Sequence, residues 1–277
     1  MFRFARVCLM VAAVVAWALA VPGSAQATPI PIADYNMEQS SSLLNQVTGQ
    51  TAIESGSGTY AYHQAGVSAG TYGAITLTNS TGYSAALSGS GAWWDLSSAD
   101  NTAMQMTNNF TVMAWVQVPD TGVHGILAPS TWDGWGLHSI GTSGDQGLTF
   151  AWLGHTSVSS GTALPVNTWV HVAATKSAST GYSVYVNGVL AANSVAYLTG
   201  DIGVTTGTYA IGAYGTWASA LSLDGSLDEV RVYNTALTQS QIVAAAEATN
   251  NVPEPSTLVL LATGLIGLLC YAWRKRR

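Results

Sequence analysis

Leu223-Asp-Gly-Ser-Leu-Asp-Glu-Val-Arg-Val-Tyr-Asn-Thr-Ala-Leu-Thr-Gln-Ser-Gln-Ile242 is the stretch whose reading decides the fold. It describes one strand and the start of one helix. From Leu227 to Tyr233 the pattern has period two, which predicts Asp228, Val230 and Val232 on one face and Leu227, Glu229, Arg231 and Tyr233 on the other. Glu229 and Arg231 are then expected to pair at the surface, while Asp228 lies beside two valines and needs donors or a cation. Thr238-Gln-Ser-Gln241 fits a capping box, so a short apolar helix is expected from Ile242 to Ala248.

Working outward, the two ends of the 277-residue chain differ from its middle. Arg3 and Arg6 precede a fifteen-residue apolar run, Val7 to Val21, and Ala25-Gln-Ala27 offers small residues for cleavage. That layout predicts a secretory signal peptide over residues 1–27, the run being short for a retained anchor. At the other end Thr257 to Trp273 is uncharged for seventeen residues and is followed by Arg274-Lys-Arg-Arg277. A transmembrane helix with its basic tail in the cytoplasm is expected there, which places the preceding domain outside the membrane. Val252-Pro-Glu-Pro-Ser256 forms an extended linker before it, because proline cannot continue a helix.

Residues 28–251, the expected domain, carry thirteen carboxylates against Lys176 and Arg231, a formal charge of −11. A nucleic-acid partner is excluded by that balance. Both cysteines, Cys8 and Cys270, fall in the terminal segments, so no disulfide staples the domain.

Within the domain the strand signals are frequent. Phe110-Thr-Val-Met-Ala-Trp-Val-Gln-Val118 is apolar on both faces and is expected to be central. Ser84 to Leu87, Gly91 to Asp95, Gly125 to Ala128, Trp135 to Ile140, Leu148 to Leu153, Asn167 to Ala174 and Tyr209 to Ala213 supply further strands. Tyr182 to Leu190 reads as a hairpin with Asn187-Gly188 at its tip, and Trp93 and Trp94 must face opposite ways.

These stretches together resemble the laminin-G-like jelly roll of the concanavalin A-like lectin and glucanase group. The resemblance rests on Gly225 to Leu237 (G-x-[IL]-D-E-V-R-[IV]-Y-N, then A-L-[ST]), on Phe110 to Val116, and on Trp169 to Ala173. It implies an all-β, two-sheet jelly-roll sandwich and, in many relatives, a structural calcium near the first and last strands. By that resemblance Glu38, Asn45 and Asp228 are the expected calcium ligands. This chain departs from the pattern, with Tyr35-Asn-Met-Glu38 for Y-x-F-D and neutral Asn45 for the first acid of D-x-[ST]-G. A second arrangement stays open, in which Asp228 accepts backbone N–H bonds across a turn. The last twenty-six residues, 252–277, resemble the PEP-CTERM sorting signal. That resemblance implies that Pro253, Glu254 and Pro255 are recognised by an exosortase in a Gram-negative bacterium.

Chemistry is sparse. No E-x-D-x-x-E run is present, and Asp228 and Glu229, adjacent in a strand, are expected on opposite faces, whereas retaining hydrolysis needs two carboxyls about 5 Å apart. The five histidines lack metal-ligand spacing, and His171 is expected to be a hydrogen-bonded strand residue. Sugar binding needs exposed rings with polar neighbours, and Trp132, Asp133, Trp135, His155 and Trp217 lie in or beside expected loops. The alternative keeps Trp135 and Trp152 in the core and has Trp132 and Trp217 capping the sandwich. The expectation is an exported, non-catalytic module at the cell surface that binds or organises glycans or matrix. An adhesion module contacting surface proteins is the alternative, and a glycan-active enzyme the third reading.

Overall fold

A computed structural model describes residues 29–89, 91–140, 146–195, 204–213 and 221–248. The expected signal peptide with Ala25 and Ala27, the C-terminal helix, Pro253, Glu254, Pro255 and Trp217 all lie outside these residues. Among the described residues no helix is long and apolar enough to cross a membrane.

Two eight-stranded antiparallel sheets face each other in a jelly-roll sandwich. The first runs Val189–Ser194, Gly181–Val186, Val170–Ser177, Phe110–Gln117, Gly225–Tyr233, Tyr83–Ser88 and Thr59–Ala65, with Ala33–Tyr35 also paired to Gly225–Tyr233. The second runs Thr156–Ser159, Gly147–Trp152, Trp135–Ile140, His124–Pro129, Tyr209–Ile211, Ala92–Asp95, Thr51–Gly56 and Leu43–Leu44. Each strand sends alternate residues inward, so Val112, Ala114 and Val116 of the first sheet meet Trp94, Leu137 and Phe150 of the second in one core. Trp94 is buried and Trp93 half-exposed, as two adjacent residues on a strand require.

Phe110–Gln117 is central and buried on both faces. Its other face carries Met113 and Trp115 into a second apolar cluster with Ala173, Tyr185 and Tyr233. That cluster is covered by the hairpin Gly70–Tyr72/Ile75–Leu77 and by the helix Gln239–Glu247, through Ile75, Leu77, Ile242, Ala245 and Ala246. Tyr72 meets Trp115 edge-on at 4.9 Å, a geometry that adds about 1 kcal/mol to the area it buries. The Asn187-Gly188 turn holds the cover in place. Both residues have positive φ (50° and 73°), as a type I′ turn demands, and the Asn187 carbonyl accepts the Ala74 N–H at 2.9 Å. A Cβ on Gly188 would lie 2.8 Å from Val243 Cγ2, so glycine also allows the helix its close approach. The helix begins as expected, with the Thr238 N–H donating to Gln241 Oε1 at 2.9 Å and Thr238 Oγ1 accepting from the Gln241 N–H at 3.3 Å.

The last strand departs from its simple alternation. Trp115 lies opposite Asp228 and Met113 opposite Arg231, so Glu229 and Val230 share the position facing Ala114. Such a bulge accommodates one extra residue, and Glu229 takes the left-handed φ of 52° that it requires. The side chains after it are thereby re-phased. Leu227, Val230 and Val232 enter the main core, whereas Tyr233 joins Trp115 in the second cluster. The expectation that Asp228 shares a face with Val230 and Val232 is therefore wrong. The bulge also marks a change of neighbour: Gly225 to Leu227 pair with the Tyr83 strand, while Val230 to Val232 pair with Ala33–Tyr35.

Candidate functional site

Two rings stack at one end of the second sheet, beside the loop that bears Trp132. The ladder sets Trp135 opposite Trp152 and Trp152 opposite Thr156, and Leu153-Gly154-His155 turns the chain between the last two strands. Gly154 has φ of 78°, and the His155 N–H returns to the Trp152 carbonyl at 3.0 Å. This tight reversal stacks the His155 imidazole on Trp152, with centroids 4.0 Å apart and planes 27° from parallel. The Trp132 main chain lies against the same turn, its carbonyl oxygen 3.3 Å from where a Gly154 Cβ would be. Trp132 is 45% exposed, His155 is exposed and Trp152 half-buried, so this edge offers aromatic surface to solvent.

Two of the expected sugar-binding residues have other work. Trp135 is fully buried against Phe110 and Tyr209, and its Nε1 donates to the Met104 carbonyl at 3.1 Å, so it presents no face to a ligand. Asp133 accepts from the hydroxyls of Thr131, Thr205 (2.6 Å) and Thr206 (3.1 Å) and from the Thr206 N–H (3.1 Å). Burial opposes its ionisation, but these donors prevail and hold the carboxyl down at about 2. Asp133 thus fastens the loop bearing Trp132 to the segment before Tyr209–Ile211.

The expected calcium ligands do not assemble into one set. Asn45 Oδ1 accepts the N–H groups of Asp34 (3.1 Å) and Val47 (3.0 Å), and its Nδ2 donates to Asp100 Oδ1 at 3.0 Å. Asp100 is fully buried and also accepts from Thr48 Oγ1 and Tyr35 OH, each at 2.7 Å. Glu38 accepts the Tyr83 N–H at 3.0 Å, and Asp228 Oδ2 the Thr81 hydroxyl at 2.5 Å. Among the described residues no group of three or more His, Cys, Asp or Glu is arranged to hold a metal ion. The donor set does not fit calcium, because hard-cation sites need free oxygens and Asn45 has none to give.

The bulge interrupts the regular alternation at Asp228 and Glu229, and Glu229 adds to the cost of ionising Asp228. Glu229 and Arg231 do pair, but inside the protein, at 2% and 8% exposure. Arg231 also reaches Asp34 Oδ1 at 3.3 Å and the Ala245 carbonyl at 2.6 Å. Burial, then the Glu229 carboxylate, push Asp228 well above the usual range against the donors from Thr81 and the Glu229 N–H. Burial lifts Glu229 to about 7 in spite of Arg231. Asp228 Oδ1 and Glu229 Oε1 have no hydrogen-bond partner, nor have Trp115 Nε1 and both ring nitrogens of His171. The backbone N–H of His171 reaches Asn187 Oδ1 at 2.9 Å, while burial and then the Arg231 charge take its ring down to about 3. Sequence reasoning missed Asp100, the solvent-facing part of Trp152 and the bulge at Glu229.

No curated protein matches the chain. Among solved structures, domain 4 of AbnA, a GH43 extracellular arabinanase from Geobacillus stearothermophilus solved with arabinotriose, has a TM-score of 0.55 at 19% identity, covering 77% of this chain and 97% of that one. Trypanosoma rangeli sialidase has a TM-score of 0.51 at 15% identity, covering 82% of this chain. The receptor-binding domain of botulinum neurotoxin C/D mosaic serotype has a TM-score of 0.50 at 14% identity, covering 79%. The matched parts are 34% of the sialidase chain and 51% of the neurotoxin chain. At these identities the likeness is one of fold. Residues 251–277 match the PEP-CTERM protein-sorting motif, which implies exosortase-mediated processing and export to the surface of a Gram-negative bacterium. Residues 88–243, more than half of the chain, match the model of the concanavalin A-like lectin/glucanases superfamily, and the chain belongs to that family.

Proposed function

We propose that this protein is an exported, non-catalytic glycan-binding module of the outer cell surface, with its ligand edge at Trp132, Trp152 and His155. The observation that carries the reading is the solvent-facing aromatic edge, in which a His155–Trp152 stack and an exposed Trp132 are held by a tight turn and by Asp133. A pyranose or furanose lays its C–H face on such rings, and a preformed platform saves the entropy of ordering them. A domain of similar fold solved with arabinotriose supports carbohydrate as the ligand class. The non-catalytic reading is supported by the adjacent acids, Asp228 and Glu229, which are buried and so out of reach of a glycosidic bond. One observation favours adhesion through protein contacts instead: Val189, Leu190 and Val195, on and beside the outermost strand of the first sheet, are each more than 40% exposed.

The test is retention of the full chain on a polysaccharide panel in affinity gels. Trp132→Ala and His155→Ala are expected to lose about three- to tenfold in affinity with unchanged melting temperature, as packing on an aromatic ring contributes about 0.5–1.5 kcal/mol. Unaltered retention in both variants would remove the ligand from this edge.

A further inference from the structure

The charge of the domain surface narrows what that edge can take, an inference that rests on the reading just given. Residues 28–251 contain two cations, Lys176 and Arg231, and the structure buries both. Lys176 is fully buried on the strand Val170–Ser177, its ammonium 3.3 Å from the Ser177 carbonyl and 5.2 Å from the centre of the Tyr182 ring. Arg231 is 8% exposed and engaged with Glu229, Asp34 and the Ala245 carbonyl. The domain therefore meets solvent without an ammonium or guanidinium group from any lysine or arginine. Carboxylates remain outside, among them exposed Asp120 and, beside Trp132, the firmly ionised Asp133.

Anionic sugars are held by cations, arginine above all, whose fork matches a carboxylate or sulfate. Stacking and hydroxyl hydrogen bonds need no charge. A polyanion approaching a domain of formal charge −11 is repelled instead, most strongly at low ionic strength. We infer that the Trp132–Trp152–His155 edge selects uncharged glycans and rejects polymers bearing uronate, sulfate or sialate.

The experiment compares matched polymers on the full chain: neutral glucan, xylan, arabinan and galactan, each beside its carboxymethylated form. It is run at pH about 8, with chelator and at about 0.05 M and about 0.5 M salt. The expected result is binding to at least one neutral polymer, lost in Trp132→Ala, with the carboxymethylated form at least tenfold weaker at low salt and recovering at high salt. Thr156→Lys, which places a cation opposite Trp152, should narrow that gap at least threefold. Equal or tighter binding of the carboxymethylated polymer, lost in Trp132→Ala, would overturn the charge selection while leaving the glycan edge standing. Binding to no polymer of either kind would overturn the edge and the selection together.

Discussion

Asp100 and the Asp228–Glu229 pair are equally buried and differently served. Asp100 is fully buried and accepts from Tyr35, Asn45 and Thr48, so both of its oxygens have partners. Asp228 and Glu229 are fully and 98% buried, and each keeps one oxygen without a donor. The difference teaches that burial does not decide what a carboxylate does inside a protein; the supply of donors does. Where donors converge, a carboxyl ties the N-terminal segment to the body of the fold. Where they run short, ionisation costs more and the pKa rises. The largest expected effect breaks the first half of this contrast. Asp100→Ala leaves the Tyr35 hydroxyl, Asn45 amide and Thr48 hydroxyl without their acceptor and should cost about 3–5 kcal/mol in urea unfolding. A loss below about 1 kcal/mol would show that water serves those donors as well as Asp100 does.

The second effect belongs to the other site and is set by pH. The pKa of Glu229, about 7 in the folded chain, lies above the ordinary value of an unfolded glutamate, so folding takes up a proton there. The stabilisation is complete below the unfolded value near 4.5 and disappears as pH rises through about 7. Unfolding free energy should therefore fall by about 1–3 kcal/mol between pH about 5 and about 8. A flat profile would mean that Arg231 keeps Glu229 ionised throughout. A smaller effect isolates Asp228. Asp228→Asn keeps an oxygen for the Thr81 hydroxyl and removes the acid, so at pH about 8 it should stabilise by about 1 kcal/mol or more, with the gain shrinking as pH falls to about 5 and towards the unfolded value of 3.8. Destabilisation at both pH values would show that the ionised form is needed.

The same contrast explains what could be read from the sequence. The strands, the Asn187-Gly188 turn and the Thr238–Gln241 box are local, each announced by residues within a few positions of one another, and the structure contains them. The bulge is not announced, because the residue with positive φ is a glutamate where a glycine would have been the signal. One inserted position then moved Asp228 to the other face and carried the surface pair Glu229–Arg231 indoors. Asp100 was silent for another reason: its partners Tyr35, Asn45 and Thr48 are 65, 55 and 52 residues away. Asp133 looked like a ligand-binding acid beside Trp132 until Thr205 and Thr206, more than 70 residues on, took its oxygens. Pattern gives the strands; only the fold tells which polar group has already found its partner.

The smallest expected effect concerns calcium and sharpens the comparison furthest. A calcium ion needs several free oxygens at about 2.4 Å, and of the positions that the family resemblance offers, Asn45 has its oxygen taken by two backbone N–H groups, while Glu38 and Asp228 each have one oxygen engaged. Neutral Asn45 supplies the reason. As an amide it can donate to Asp100 while accepting two backbone N–H groups, which an aspartate could not do. Calcium at about 1 mM should therefore shift the melting temperature of the full chain by less than about 1 °C relative to chelator. A rise above about 3 °C that vanishes in Asp228→Ala would show that the orphan oxygens of Asp228 and Glu229 take a cation in place of a proton. Asn45→Asp separates the two accounts. It sets a second acid against Asp100 and should lower stability in chelator, and calcium should then restore part of the loss if substitution at Asn45 is what removed the ion. If calcium does nothing for that variant, restoring an acid at position 45 is not enough to make a metal site, and the hydrogen bonds of the Asp100 network hold this end of the sandwich without an ion.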